Sequence, residues 1–184
     1  MGDERKFHWH KLRLFLVIAC SLVCYKVVFE VDCGLERAIQ SLYPAPKGFR
    51  EKWDPNLQRS EILEEIDEDT WVMLSLTKPA FSGVIAAREF IDVVRLKRVP
   101  NKHVIVSGQS VEYPSLPVKK DIVRGYNYPC GTLWELLQNG KVRISVMYHS
   151  DIGGRLPRRI VETALPSVMM SDVEALLAYL KNEN

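Results

Sequence analysis

The fold turns on residues 156–180, LPRRIVETALPSVMMSDVEALLAYL. Apolar side chains at Leu156, Ile160, Ala164, Val168, Val173, Leu176, Leu177 and Leu180 recur at spacings mostly of three and four, which predicts one long amphipathic helix. Pro166 lies inside it and has no N–H to donate to the preceding turn, so a kink is predicted there. Most of the chain before this helix reads as strand. Residues 103–113, 122–128, 132–137 and 142–149 are strand-like runs separated by Pro, Gly and Asn turns. In residues 88–97, alternation puts Arg88, Phe90, Asp92, Val94 and Leu96 on one face and Ile91, Val93, Arg95 and Lys97 on the other. Upstream, the six acidic residues of EILEEIDED (61–69) lead into TWVMLSLT, with Val72, Leu74 and Leu76 on one face; this reads as a hairpin with an exposed acidic turn. The expected architecture is α+β, a curved antiparallel sheet with the carboxy-terminal helix laid across it. Such a helix closes a core or, over a sufficiently curved sheet, roofs a cavity.

At 184 residues the chain fits one domain, and a hydrophobic fraction of 47% with 26% charged residues excludes a disordered or fibrous protein. Lys and Arg number 25 against 23 Asp and Glu, a formal charge of +2, which leaves no bulk basicity for binding nucleic acid. Four cysteines are too few for a disulfide scaffold of this size and are expected as free thiols. Leu35, Ala38, Ile39 and Leu42 have helical spacing, and Pro44 to Gly48 ends that short helix.

The amino end admits several readings. Basic RKFHWHKLR (5–13) runs into an apolar stretch, Leu14 to Cys24, which as a helix would cover about 16 Å, roughly half a bilayer core. With Ala19 and Ser21 at cleavage-like spacing it fits a signal peptide; its β-branched residues fit a core strand or core helix; extended through Phe29 it fits a membrane anchor. His8 and His10 before Cys20 and Cys24 are not read as a metal site, because those cysteines lie in the apolar run.

Four blocks, WDPN (53–56), AREFIDVVRLKR (87–98), VRGYNYPCG (123–131) and HSDIGGRLPRRIVETALPS (149–167), resemble in sequence and order the START family of lipid-transfer domains, within it the small sterol-binding members. The resemblance runs from about Tyr25 to Lys181 and divides the chain into a basic and apolar segment, 1–24, and a START-like domain, 25–184. It implies a helix-grip fold enclosing one lipid tunnel, with no catalysis, cofactor or metal. The usual opening helix and two strands would have to come from 24 residues, so they are expected to be incomplete. Either a sheet edge is left exposed or residues 12–22 supply one substitute strand.

The resemblance also places site residues. Arg88 matches the arginine of the family's Arg-Asp/Glu-Phe motif, and a cavity acid and arginine pair found in some members falls at Ser75 and Val94, so that pair is lost. Arg88 and Asp92, about 13 Å apart along a strand, each need another partner: for Arg88, water, a relay to Asp92 or a ligand hydroxyl. Tyr128 stands where the family often has histidine and keeps a hydroxyl without a titrating ring. The expected lipid-binding residues are Ser75, Arg88, Phe90, Asp92, Val94, Arg124, Tyr126, Tyr128, Leu165, Met169 and Met170, with Arg124, Tyr126 and Tyr128 on one strand face. Phe81, Gly83 and Pro166 are the expected gate: glycine frees the loop and proline weakens the helix.

The expected function is binding of one lipid, a sterol or similarly rigid molecule, and its transfer between membranes by a monomer, cytoplasmic with transient membrane contact. Lys141, Arg143, Arg155, Arg158 and Arg159 would meet anionic headgroups. The alternatives are a module anchored or secreted through residues 5–24, and a shortened variant that holds no lipid. A cyclase or hydrolase finds no support in a G-x-S-x-G elbow or an acid and base pair.

Overall fold

A computed structural model describes residues 5–9, 12–19, 22–100 and 103–182. Its strands are β1 (Arg5–Trp9), β2 (Leu12–Ala19), β3 (Leu22–Val31), β4 (Leu57–Asp67), β5 (Thr70–Thr77), β6 (Arg88–Val99), β7 (His103–Ser110), β8 (Val123–Arg124), β9 (Tyr126–Asn127), β10 (Cys130–Leu136) and β11 (Val142–Asp151). The helices are α1 (Leu35–Gln40) and α2 (Arg158–Asn182), with a single 3-10 turn at Arg50–Lys52. Nine strands follow the order β1-β2-β3-β11-β10-β7-β6-β5-β4, all antiparallel neighbours, while β8 joins β6 in parallel and β9 joins β11. This is the helix-grip architecture, a long open sheet with its carboxy-terminal helix against one face.

Alternation along the strands builds two apolar layers. On the concave side, Val27, Phe29, Trp71, Val104, Trp134 and Ile144 pack with Met169, Val173, Leu176 and Leu180 of α2. On the convex side, Val72, Leu74 and Ile91 form a smaller cluster under Val111, Tyr113 and Leu116. The predicted split of the 88–97 strand is thus observed, since Ile91 goes outward while Val94 joins the main core.

Three expectations need correction. The amino end supplies two strands rather than at most one: β2 pairs with β3 from Arg13 opposite Val28 to Ala19 opposite Leu22, and β1 pairs with β2. His10, Cys20 and Ser21 lie outside the described residues. The run 122–128 is two short strands rather than one, because Gly125 passes over the Phe90 ring. A Cβ there would sit 2.3 Å from a ring carbon, and the Gly125 N–H donates to the Glu89 carbonyl at 2.9 Å. Finally, α2 begins at Arg158 and not at Leu156: a residue before proline is disfavoured in helical conformation, and the Pro157 carbonyl accepts the first helical bonds, from Ile160 and Val161. Through Pro166 the helix runs unbroken to Asn182.

Cys24, Cys33 and Cys130 are free thiols. Among the described residues no helix is long and apolar enough to cross a membrane, and no group of three or more His, Cys, Asp or Glu is placed to hold a metal ion.

Candidate lipid cavity

Between the concave face and α2 lies a cavity of about 360 Å³. Its walls are odd-numbered positions of β5 (Met73, Ser75, Thr77) and even-numbered positions of β6 (Arg88, Phe90, Asp92, Val94), continued by Val106 of β7 and by Val146 and Tyr148 of β11. Ala164, Leu165, Val168, Met169 and Asp172 of α2 form the roof. These helix positions repeat at three and four, so an acid stands in register with the apolar stripe.

Three polar groupings interrupt the apolar lining. In the first, the half-buried Asp92 carboxylate accepts from the Ser110 hydroxyl at 2.7 Å and from the Asn127 amide at 2.8 Å. Asn127 in turn accepts from the Ser150 hydroxyl at 2.6 Å, and its main-chain N–H donates to Ser110 at 2.8 Å. Burial pushes the Asp92 carboxyl above its usual range, and the two hydrogen bonds partly oppose that shift.

The second grouping clamps the helix. Arg50 donates to Asp54 at 2.9 Å, Asp54 also caps the turn by accepting from the main-chain N–H groups of Asn56 and Leu57, and the Asn56 amide donates to Asp172 at 2.6 Å. Burial, then repulsion from Asp54, pushes Asp172 up to about 6, while Asn56 and Arg50 pull the other way. Burial works against the charge on Arg50, but Asp54 and Asp172 outweigh it and raise its pKa. Tyr148, beside them, is also raised, chiefly by burial.

Arg88 is the third. It is 5% exposed, and among the described residues its guanidinium meets only main-chain carbonyls: Nε donates to Ile152 at 3.0 Å, Nη1 to Ala86 at 2.5 Å and Nη2 to Gly153 at 3.3 Å. The partners are thus main-chain carbonyls rather than the water, relay to Asp92 or ligand hydroxyl expected from the sequence.

The structure therefore brings Ser75, Arg88, Phe90, Asp92, Val94, Leu165 and Met169 to one cavity and leaves four expected residues off its wall. Arg124 pairs with Glu89 at 2.7 Å and donates to the Leu116 carbonyl. Tyr126 meets Tyr128 edge to face (5.0 Å between ring centroids), and Tyr128 lies tilted against His149 (4.8 Å). Arg124, Tyr126 and Tyr128 thus all lie off the cavity, and Asn127 and Cys130 of the same block line it. Met170 packs against the core beside Met169 without lining the cavity. At the loop between β5 and β6, Ala80 and Ile85 line the cavity while Phe81 points to solvent; Phe81, Ser82 and Gly83 all adopt positive φ at its tip. Pro166 lies off the lining.

The basic residues are not one patch. Lys141 pairs with Asp32 and Arg143 with Glu30 at the start of β11, whereas Arg155 and Arg159 are exposed beyond its far end, about 30 Å along a ten-residue strand. Sequence reading missed Arg50, Asn56, Tyr148 and Asp172. The available signals were the WDPN block and the one acid in register with the apolar face of α2.

A sheet that grips a helix around a mostly apolar cavity defines a domain of the helix-grip class. The chain matches the START domain over residues 11–184 and belongs to that family. It is 34% identical over 137 residues to human StAR-related lipid transfer protein 5, a match covering 73% of this chain and 64% of that protein. Against human StAR-related lipid transfer protein 6 the identity is 31% over 126 residues, covering 67% and 57%. The chain thus spans less than two thirds of the length of these curated relatives. The solved structure of human StAR-related lipid transfer protein 5 superposes with a TM-score of 0.90 at 27% identity, covering 97% of this chain and 86% of that one.

Proposed function

We propose that the protein binds one neutral lipid, a sterol or similarly rigid molecule, in this cavity and carries it between membranes as a monomer in the cytoplasm, without catalysis. The observation that carries this reading is the cavity under α2, whose volume falls in the range of small-ligand sites and whose polar groups are few and grouped. Each Å² of apolar ligand surface taken from water contributes about 25 cal/mol, so a rigid hydrocarbon skeleton needs few polar contacts beyond those that orient it. The names of the START relatives, lipid transfer proteins, support the same reading. Against catalysis, the Cys130 thiol is pushed up to about 11 by burial and by Asp92, so it stays protonated, and among the described residues no histidine lines the cavity.

Exchange with a membrane needs an opening and a docking point, and the loop between β5 and β6 is suited to both. Phe81 (47% exposed) and Val84 (62%) stand at its tip, beside the Ala80 and Ile85 that line the cavity. Arg155 and Arg159 would add about 1 kcal/mol each near an anionic surface.

The test is uptake of a fluorescent sterol and its transfer from donor to acceptor vesicles, with Ser75→Phe as the control. Ser75 faces the cavity from β5, so a phenyl ring there occupies ligand volume. Affinity should fall at least about tenfold while the melting temperature holds, since the ring fills space already enclosed. Unchanged sterol affinity in Ser75→Phe would place the ligand elsewhere.

A further inference from the structure

We propose that Arg88 is a positioning residue of the exit, a latch that ties the loop between β5 and β6 to the segment leading into α2 and so sets how fast lipid leaves. The consequence for lipid rests on the transfer reading above; the tie itself rests on geometry. Arg88 stands at the first position of β6, where the loop of residues 78–87 ends. Its fork bonds back to Ala86 in that loop and across to Ile152 and Gly153, 64 and 65 residues further along the chain, in the segment of residues 152–157 that precedes α2. One side chain therefore joins the two segments that must part if the cavity opens at this end.

The surroundings are built for that join. Gly153 and Gly154 both adopt positive φ (64° and 79°), and a Cβ on Gly154 would sit 3.3 Å from Nη2, so glycine lets the chain approach the guanidinium closely. On the other side the main-chain N–H of Arg88 donates to the Thr77 hydroxyl at 3.0 Å, fixing the base of the loop to β5. Among the described ion pairs none includes Arg88, although Glu89 beside it is paired with Arg124. Burial lowers its pKa with no charged neighbour contributing. A buried cation held, among the described residues, by neutral carbonyls makes bonds strong enough to hold a loop. A carboxylate partner would hold the fork more tightly, whereas carbonyls of two separate segments let it go when they part.

The fork geometry distinguishes this role from charge alone, because a lysine in its place reaches one carbonyl rather than three. The experiment uses the full chain with Arg88→Met and Arg88→Lys. Amide hydrogen exchange is read at residues 78–87 and 152–157, together with release of a preloaded fluorescent sterol into phosphatidylcholine vesicles. Both variants should speed exchange in the two segments together, by about tenfold or more for the methionine, and leave β10 and β11 unchanged. Sterol release should accelerate by a similar factor, because the closed states lose the latch and the opened state does not.

Wild-type exchange in both segments of Arg88→Met overturns the latch. So does lost affinity without faster exchange, which would make Arg88 a ligand contact. If Arg88→Met fails to fold, exchange of the unaltered chain in graded urea decides: the latch predicts that the two segments open as one unit with the same urea dependence, and separate openings overturn it. A wild-type chain that takes up no sterol refutes the functional reading, while the exchange result still judges the latch.

Discussion

Deletion of residues 1–21 is expected to turn the protein into an aggregate. β2 pairs with β3 along seven positions, Arg13 to Ala19 against Val28 to Leu22, and these pairings satisfy the outer main chain of β3. On its other side β3 pairs with β11 from Cys24 to Val31, and its side chains Tyr25, Val27, Phe29 and Val31 are core. Without β1 and β2 the new edge is ten residues long, apolar and free of proline, which is a template for pairing with another chain. The lost pairing weighs heavily, since a domain's whole margin is about 5–15 kcal/mol. Size-exclusion chromatography and sedimentation should find most of the truncated chain in large species. A soluble, sterol-binding product with the parent's melting temperature would show instead that the amino end leads the domain without forming part of it.

Replacing Asp172 with asparagine should remove a large share of the protein's pH dependence. In the fold this carboxyl is pushed up to about 6 from its ordinary 3.8, first by burial and then by Asp54, against the pull of Asn56 and Arg50. Between those two values the folded state keeps a proton that the unfolded chain has released, so stability falls as pH rises from about 4 to 6 and the loss persists above. At about 1.4 kcal/mol per pKa unit the loss is about 3 kcal/mol, or roughly 6 to 12 °C in melting temperature for a chain of this size. Asparagine cannot ionise, and its carbonyl still accepts from Asn56. Between pH 4 and 7.5 the wild type should therefore lose about 3 kcal/mol more stability than Asp172→Asn, read as two denaturation curves that converge in acid and separate above pH 6. Curves that stay parallel throughout would mean that Asp172 is not held in the unfavourable environment described here.

What the sequence shows and hides follows from the range of the interactions. The stripe on α2, the acidic hairpin of β4 and β5 and the two faces of β6 are local periodicities, and each is found where the pattern puts it. The VRGYNYPCG block misleads because alternation says which side chains share a face but not which face is turned to the cavity: Arg124, Tyr126 and Tyr128 lie off it and Asn127 lines it, while the contact between Gly125 and the Phe90 ring, 35 residues apart, breaks the strand. Arg88 was legible as a cavity residue, but its carbonyl partners lie in a segment that alternation says nothing about. The clamp on α2 is more distant still: Asn56 and Asp172 are 116 residues apart and meet only once the sheet has closed around the helix. At the amino end, composition suits a strand, a leader or an anchor, and the pairing of β2 with β3 is a tertiary contact that composition does not carry.

The central claim, one lipid in the cavity beneath α2, is tested most directly by native mass spectrometry of the full chain after incubation with sterol-containing vesicles and re-isolation. The account predicts a single added mass equal to one sterol per chain, sharply reduced in Ser75→Phe. A chain that returns at its bare mass, or that carries the same sterol load in Ser75→Phe as in the wild type, would contradict it.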